Sequence, residues 1–211
     1  MPFRNDAVAL AVIGLLLSGC GKASDEPSTS GPLDHWHWRD PVPQGNHLAA
    51  VTFDAGTFVA VGFAGAIVTS ADGATWTSQR SGTTAGLFGV TRGNGTFVAV
   101  GDGGAVVTSA NATAWTPRSA GTSPLHAVAF GNGRFVAVGD AGAIVTSADG
   151  SGWAAASSGT TERLAGVTYG GGLFVAVGGT TLLTSVDGKT WTSRASDVAS
   201  SLHAVTWGNG V

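Results

Sequence analysis

The stretch GNGRFVAVGDAGAIVTSADGSGW, residues 131–153, contains two short apolar runs, FVAVG (135–139) and AIVTS (143–147), each enclosed by turn residues. Runs of this length, rich in Val, Phe, Ile and Thr and separated by Gly with Asn or Asp, are typical of β-strands joined by tight turns. No part of the chain after residue 20 shows the periodicity of an amphipathic helix. The stretch therefore predicts consecutive antiparallel hairpins.

The same pattern recurs along the chain. FVAVG itself occurs four times, at 58–62, 97–101, 135–139 and 174–178, and composition alone does not repeat a pentapeptide at a fixed phase. A leucine opens each unit, and successive leucines are 38 or 39 residues apart: Leu48, Leu87, Leu125, Leu164 and Leu202. This period indicates a repeat architecture in which each unit is one supersecondary element.

Each unit has room for four short strands, which is the content of one β-propeller blade. FVAVG has no polar side, since its Phe and Ala point one way and its two Val the other. A strand buried on both faces fits a blade enclosed between two neighbours, because a sheet with one wet face alternates apolar and polar residues. We predict an all-β fold, a β-propeller of four-stranded antiparallel blades over residues 35–211. A β-solenoid is the alternative, although it would favour shorter coils and parallel strands.

A Ser, an acid, a Gly and a Trp recur at fixed spacing after the third predicted strand, as in SADGSGW (147–153). Recurring catalytic residues or recurring turns would both explain this, and we favour turns. The Asp carboxylate can accept hydrogen bonds from turn amides, and Gly allows a positive φ. We assign structural turns to Ser70, Asp72, Gly73, Trp76, Ser109, Asn111, Trp115, Ser147, Asp149, Gly150, Trp153, Ser185, Asp187, Gly188 and Trp191.

This motif resembles the Asp-box, or BNR repeat, of sialidase-type propellers, with one residue fewer than the usual S-x-D-x-G-x-T-W. The whole unit resembles the repeats of photosystem II stability/assembly factor-like propellers, a group common among bacterial lipoproteins. The resemblance covers about residues 35–211 and implies the propeller fold. It implies little about activity, because Asp-boxes lie away from the active site in the enzymes that carry them. The second copy, with Asn111 for Asp and Ala112 for Gly, should form a looser turn.

The N-terminal residues predict an export signal. Arg4 precedes an apolar run at 7–17, which is too short to span a bilayer but fits a signal peptide over residues 1–20. The run ends in LSGC, which resembles a bacterial lipobox with Cys20 as the lipidated residue; an ordinary signal peptide with an incidental Cys is the alternative. The polar stretch 21–34 is typical of a flexible tether. We expect a lipid-anchored protein of the bacterial cell envelope, at the outer membrane in a Gram-negative host.

Both ends of the repeat region predict part-blades. Trp38 stands ten residues before Leu48, a spacing also found between a motif Trp and the next leucine, so residues 36–39 match an outer strand. The segment 202–207 matches an inner strand that a short turn follows. We expect an incomplete propeller, an open arc of four full blades with part-blades at both ends.

A sialidase-like active site is the main catalytic alternative. The sequence RDPVP (39–43) faintly resembles the Arg-x-Pro element of sialidases, and Arg80, Arg118 and Arg194 supply further guanidinium groups. These three arginines share one repeat position just after the motif Trp, so we interpret them as outer-strand surface charge. Tyr169 lies in a slot that Phe or Trp fills in other units, which indicates a core residue. We expect no catalytic residues and no enzymatic activity.

One face of the predicted propeller carries polar side chains. The turns between second and third strands share a face with the entries to the first strands, although ordinary turn and rim residues would give the same pattern. His35 and His37 have no third ligand nearby, and we expect neither a metal nor a cofactor. The candidate ligand face consists of Asp102, Asp140, His126, His203 and Glu162.

Composition restricts the partners further. Only 11% of the 211 residues are charged, the net charge is −3, and no basic run is present, which argues against nucleic acid. A single Cys excludes an internal disulfide. The best hypothesis is a membrane-tethered propeller that acts as a non-catalytic binding or assembly scaffold for a protein or glycan partner. The alternative is a sialidase-like glycoside hydrolase that acts on envelope or host glycans.

Overall fold

A computed structural model describes residues 45–208. The predicted signal peptide, the lipidation site Cys20, the tether at 21–34 and the outer strand at 36–39 lie outside the described residues. Among residues 45–208, no helix has the length and apolar character needed to cross a membrane.

The described chain forms four consecutive four-stranded sheets, which we call blades 1 to 4. Blade 1 contains β1 (Leu48–Asp54), β2 (Thr57–Gly62), β3 (Ile67–Ser70) and β4 (Thr77–Gln79). Blade 2 contains β5 (Leu87–Gly93), β6 (Thr96–Gly101), β7 (Ala105–Ser109) and β8 (Thr116–Ser119). Blade 3 contains β9 (Leu125–Gly131), β10 (Arg134–Gly139), β11 (Ile144–Ser147) and β12 (Ala154–Ala156). Blade 4 contains β13 (Gly166–Gly170), β14 (Leu173–Gly178), β15 (Thr181–Ser185) and β16 (Thr192–Arg194).

Within every blade, neighbours in sequence pair antiparallel, so each blade is a simple meander. The second strand has the same register in each case: in blade 3, Phe135 lies opposite Phe130 of β9 and Ser147 of β11. A short 3₁₀ turn joins the second and third strands of blades 1 to 3, at Phe63–Gly65, Asp102–Gly104 and Asp140–Gly142. The predicted fold of antiparallel four-stranded propeller blades is confirmed.

The two sides of each FVAVG strand pack against different neighbours. Val98 and Val100 of blade 2 lie in one apolar cluster with Phe135 and Ala137 of blade 3. The equivalent valines of blade 1 join the Phe and Ala of blade 2, and those of blade 3 join the Phe and Ala of blade 4. The valines therefore face the next blade, while Phe and Ala face the preceding one, and the absence of a polar side is explained.

A second contact joins the inner strands of consecutive blades. The Phe130 ring lies over Gly93 of blade 2, and the Tyr169 ring lies over Gly131 of blade 3, so closely that a methyl group on either glycine would overlap the ring. Trp207 covers Gly170 of blade 4 in the same way. The fit requires glycine, because a side chain at that position would displace the neighbouring aromatic residue.

An ion pair replaces the ring-on-glycine contact between blades 1 and 2. Asp54 stands where later blades have the glycine, and Arg92 stands where they have the aromatic residue. Arg92 Nη1 donates to Asp54 Oδ1 at 2.9 Å, and the guanidinium carbon lies 5.2 Å from the centre of the Phe97 ring. Both residues of this contact, Asp54 and Arg92, thus differ from the glycine and the aromatic residue at the equivalent positions of the later blades.

The first inner strand has an uncovered side. Leu48, Val51 and Phe53 of β1 are exposed, whereas Leu87 and Leu125, which open the next two inner strands, are buried. Phe53 still stacks on Phe58 of its own blade, with ring centres 4.4 Å apart. The uncovered side of blade 1 is therefore the side on which each later blade packs against the blade before it.

Gly131→Ala should destabilise the protein by about 1–3 kcal/mol, because the new methyl group would overlap the Tyr169 ring. In a Tyr169→Ala background the same substitution should cost much less, since the ring is gone. Gly152→Ala is the matched control, because a methyl group there meets nothing within 4 Å. Urea titration of the four variants measures these differences, and equal losses for Gly131→Ala and Gly152→Ala would contradict the packing argument.

Candidate functional site: repeated turns and a face of aromatic and charged side chains

The SxDGxxW segment lies between the third and fourth strands of each blade and closes on itself through hydrogen bonds. In blade 1, Asp72 Oδ1 accepts the N–H groups of Ala74 and Thr75 at 2.8 and 2.7 Å. Ser70 Oγ donates to Asp72 Oδ1 and accepts the Gly73 N–H, both at 2.9 Å. The indole Nε1 of Trp76 donates to the Gly73 carbonyl at 3.1 Å. The side chains of Ser70, Asp72 and Trp76 thus hold the turn through bonds within it.

The second turn differs from the others in one bond. Asn111 Oδ1 accepts two turn amides at 3.0 Å each, as the aspartates do. The hydroxyl of Ser109 accepts the Asn111 N–H at 3.3 Å, but it receives no bond from Ala112. Ala112 is buried and has a φ of +61°, a conformation that costs a non-glycine residue energy. The second turn thus has an alanine in a strained conformation and lacks the bond that the glycine N–H donates to the serine hydroxyl in the other three turns.

The turns also connect blades. Asn94, in the first hairpin of blade 2, donates through Nδ2 to the Ala148 carbonyl in the turn of blade 3 at 3.2 Å. Asn132 of blade 3 makes the same bond to Val186 in blade 4 at 3.1 Å. Trp115 is buried in the apolar cluster between blades 1 and 2. These segments therefore stabilise the packing of neighbouring blades as well as single turns.

Hydrogen bonds lower the pKa values of the three turn aspartates. The amides of Thr75 and Ala74 lower the pKa of Asp72 to about 2, from an ordinary value of 3.8. The amides of Thr190 and Lys189 lower the pKa of Asp187 to about 2. The Ser151 hydroxyl and amide lower the pKa of Asp149 still further. The ionised carboxylates are therefore the forms that the turns require.

Ser147→Ala should destabilise the protein by about 1–3 kcal/mol, because the buried Gly150 N–H would lose its acceptor, the Ser147 hydroxyl at 2.9 Å. Ser109→Ala is the matched control, since it removes a buried hydroxyl that bonds to the Asn111 side chain and N–H, as Ser147 does to Asp149, but that accepts no bond equivalent to the one from the Gly150 N–H. It should therefore cost less. Guanidinium chloride titrations at neutral pH provide the comparison, and a larger loss for Ser109→Ala would refute this role of the hydroxyl.

The depressed pKa values predict a loss of stability in acid. Asp72 and Asp187 bind fewer protons in the folded than in the unfolded chain, so their stabilisation is complete above about pH 4 and is lost as the pH falls towards 2. Replacing Asp72, Asp149 and Asp187 by Asn should flatten the stability profile in this window. Urea midpoints between pH 2 and 7 test this, and an unchanged acid limb in the triple variant would contradict it.

The face of the blades opposite the SxDGxxW turns carries a continuous strip of side chains. They come from the turns between the second and third strands and from the residues at the start of the inner strands. The rings of His47 and Phe63 are 6.1 Å apart, those of Phe63 and Phe88 5.5 Å, and those of Phe88 and His126 5.9 Å. His126 Nε2 lies 2.7 Å from Asp140 Oδ1. We call these residues, together with Arg163, the face strip.

Arg163 completes the strip on blade 4, with its Nε 3.6 Å from Asp140 Oδ1. Phe63 is 51% exposed, and the Arg163 side chain is 61% exposed. Phe88 and His126 are half-buried between them. The strip therefore offers accessible apolar and charged groups whose positions are fixed by contacts across all four blades.

The structure brings together only two of the five residues selected for the candidate ligand face, His126 and Asp140. Asp102 begins the corresponding turn of blade 2, and its carboxylate lies beside Gly86. Glu162 is exposed near Gly179, and His203 is exposed next to Leu202. Sequence reasoning missed Phe63, which occupies the turn position of Asp102 and Asp140, and Phe88, which occupies the strand position of His126. An alignment of the repeats could have found both.

The prediction that Arg80 shares a repeat position with Arg118 and Arg194 was wrong. The strand register places Gln79, not Arg80, in that position. Gln79 and Arg194 each donate to a threonine hydroxyl on the neighbouring strand at 2.9 Å. Arg80 and Arg118 are exposed.

Tyr169 is half-buried against the apolar cluster of blades 3 and 4. Within residues 45–208, no three His, Cys, Asp or Glu side chains form a metal-binding group.

Comparison with solved structures places this fold among known propellers. YCF48 bound to D1 peptide matches with a TM-score of 0.62 and 20% identity, over 82% of this chain and 61% of that one. YCF48 from Cyanidioschyzon merolae matches with a TM-score of 0.56 and 17% identity, over 79% and 64%. The WD40 propeller domain of Doa1 matches with a TM-score of 0.54 and 9% identity, over 75% and 61%. No family model and no curated protein sequence matches the chain.

These matches show a β-propeller. The expected resemblance to photosystem II stability/assembly factor-like propellers is confirmed for the fold, because two of the similar structures are of YCF48. The chain spans less than two thirds of the length of each of the three structures.

Proposed function

We propose that this chain is a non-catalytic binding scaffold that holds a protein partner on the face strip. The observation that carries the proposal is the unbroken series of contacts from Phe63 through Phe88 and His126 to Asp140 and Arg163. Aromatic and arginine side chains dominate the binding energy of protein interfaces, especially where they are held in place before binding.

The shape of the strip favours an extended polypeptide over a compact ligand. It runs across four consecutive blades, with ring-to-ring steps of 5.5 to 6.1 Å. Its exposed ends have different chemistry, the rings of His47 and Phe63 at one end and the guanidinium of Arg163 at the other. A segment with an apolar residue at one end and an acid towards the other would match both. One similar propeller, YCF48, has been solved bound to a peptide, which agrees with this use of the fold.

Selection of a displayed peptide library against the protein, followed by titration of the best peptide, tests the proposal. Phe63→Ala should weaken binding about tenfold, because it removes an exposed aromatic anchor. Phe53→Ala is the matched control: its ring has similar exposure, 56% against 51%, but lies on the uncovered side of blade 1. Equal losses for the two variants, or no selectable peptide alongside binding to a glycan array, would refute a protein partner on the strip.

The alternative function is a glycoside hydrolase. Glycosidases use two carboxyl groups that flank one bond. In the strip, the carboxylate of Asp140 is engaged by His126 and Arg163. Turnover of generic glycoside substrates would decide for the hydrolase.

We further propose that the scaffold works outside the cytoplasm of a bacterium, held at the membrane by a lipid on Cys20. The LSGC sequence after an apolar run supports this. Mass spectrometry of the protein expressed in a bacterial host with lipoprotein processing should find a diacylated Cys20 followed by Gly21. Cys20→Ser should release the protein from membranes. An unmodified Cys20, or a mature N-terminus elsewhere, would refute the anchor.

A further inference from the structure

The sequence contains two stretches of the form Asn-x-Thr, Asn-Gly-Thr at 94–96 and Asn-Ala-Thr at 111–113. This pattern, with any residue except Pro in the middle, is the acceptor sequence for N-linked sugars. Attachment of a sugar replaces one hydrogen of the side-chain Nδ2 and leaves Oδ1 unchanged. The two asparagines therefore differ as acceptors according to which of these atoms the folded protein uses.

At the first site the fold uses the side-chain nitrogen. Asn94 Nδ2 donates to the Ala148 carbonyl in the turn of blade 3 at 3.2 Å, and Asn132 makes the same bond one blade later. A sugar joined to Asn94 Nδ2 would add bulk at an atom that contacts the next blade. The packed fold therefore disfavours a sugar at this site.

At the second site the fold uses the side-chain oxygen. Asn111 Oδ1 accepts the N–H groups of Thr113 and Ala114 at 3.0 Å each. The Ser109 hydroxyl donates to the same oxygen at 3.1 Å. Among residues 45–208, no group bonds to Asn111 Nδ2. Asn111 and Thr113 are both exposed. A sugar on Nδ2 therefore leaves intact every bond that Asn111 contributes to its turn.

The turn of blade 3 shows where this nitrogen lies. Asp149 holds that turn through Oδ1, and its other oxygen, Oδ2, accepts the hydroxyl of Ser151 at 2.6 Å. Ser151 is exposed and stands two residues after the Asp, as Thr113 stands two residues after Asn111. Because Oδ1 has the same role in both turns, Nδ2 of Asn111 takes the position of Asp149 Oδ2, on the exposed side of the turn.

A polar cleft next to the turn of blade 2 can receive the first sugar. Thr113 lines an open cavity of about 410 Å³. Blade 1 contributes Thr57, Asp72 and Thr75 to the same cavity. Hydroxyl and carboxylate side chains can donate to and accept from the hydroxyl groups of a sugar. The surroundings of the second site are therefore compatible with an attached sugar.

We propose that Asn111 is an acceptor of an N-linked sugar and that Asn94 is not. The donor is a sugar diphosphate whose diphosphate is joined to a nucleotide or to a lipid. Asn111 Nδ2 forms a bond to the anomeric carbon, the bond from that carbon to the diphosphate oxygen breaks, and the amide releases one proton. The turn lies on the face opposite the face strip, so the modification leaves the strip open. This inference does not depend on the function proposed for the strip.

Cell-free synthesis of the full chain tests the proposal with both kinds of donor. One reaction contains UDP-glucose and a soluble bacterial N-glycosyltransferase that reads Asn-x-Thr. The other contains microsomes with lipid-linked oligosaccharide and their oligosaccharyltransferase, and it requires transport of the chain across the membrane. Mass spectrometry of the folded, protease-resistant product should show at least about tenfold higher occupancy at Asn111 than at Asn94. Modification in one reaction alone identifies the class of donor.

Matched variants and peptides separate the acceptor from its turn. Thr113→Ala removes the acceptor sequence but keeps the backbone N–H that bonds to Asn111, so it should abolish the modification without loss of stability. Thr113→Ser should restore the modification. Synthetic peptides of residues 92–98 and 109–115 should be modified to within about threefold of each other, because neither is folded. The difference between the two sites would then come from the fold.

Urea titration provides a second measurement. The modified protein should unfold at the same urea concentration as the unmodified protein, whereas Asn111→Ala should unfold at a lower one because the turn amides lose their acceptor. Four results would overturn the proposal: no modification at Asn111 in either reaction, equal occupancy of the two sites in the folded product, peptides that differ as much as the sites in the protein, or a lowered urea midpoint for the modified protein.

Discussion

Consecutive blades of this propeller lie so close together that one backbone position at their interface cannot carry a side chain. The glycine that ends an inner strand lies under the aromatic ring of the next blade, at Gly93, Gly131 and Gly170. Once that distance is set, the next strand outward must also fit between two neighbours. Its Val side chains pack against the next blade, and its Phe and Ala side chains pack against the preceding blade. The repeated pentapeptide is therefore a consequence of blade spacing, because each face must complement the opposite face of the next copy.

The interface of blades 1 and 2 shows what happens when this constraint is met differently. Asp54 could not lie under an aromatic ring, and Arg92 takes the place of that ring with an ion pair of 2.9 Å. Both side chains are partly exposed, so the pair itself contributes about 1 kcal/mol at most. Arg92 also lies over the Phe97 ring, which recovers some apolar contact. Its Nε is buried without a hydrogen-bond partner, a cost that the ring-on-glycine contact avoids.

The fold could be predicted from the sequence because its signal is local and repeated. FVAVG, the glycine-rich turns and the 38- or 39-residue period each indicate strands, hairpins and blades without knowledge of long-range contacts. An alignment of the repeats would have placed Phe63 and Phe88 at face positions. The contact between their rings could not be predicted in this way, because the two residues come from different blades and meet only after the blades pack. The error at Arg80 was one of counting: Arg118 and Arg194 stand three residues after their motif Trp, whereas Arg80 stands four residues after Trp76. The register to β3, in which Gln79 lies opposite Ile67, agrees with the corrected count. The hydrogen bonds from Asn94 and Asn132 to the next blade join residues 54 positions apart, so they too could not be predicted from local sequence.

Comparison of the repeats with one another separates structure from function. Positions that set blade spacing hold the same residue types in nearly every unit, since each interface must satisfy the same geometry. The first turn position after FVAVG does not: it is Phe63, Asp102, Asp140 and Gly179 in turn. The second position of the inner strand is equally varied, with Phe88 in blade 2 and His126 in blade 3. These positions are free to differ because they project beyond the packed blades, and they are the ones that form the face strip. The propeller core thus supplies fixed positions, and the differences between units supply the aromatic and charged side chains of the face strip, on which we propose that a partner is held.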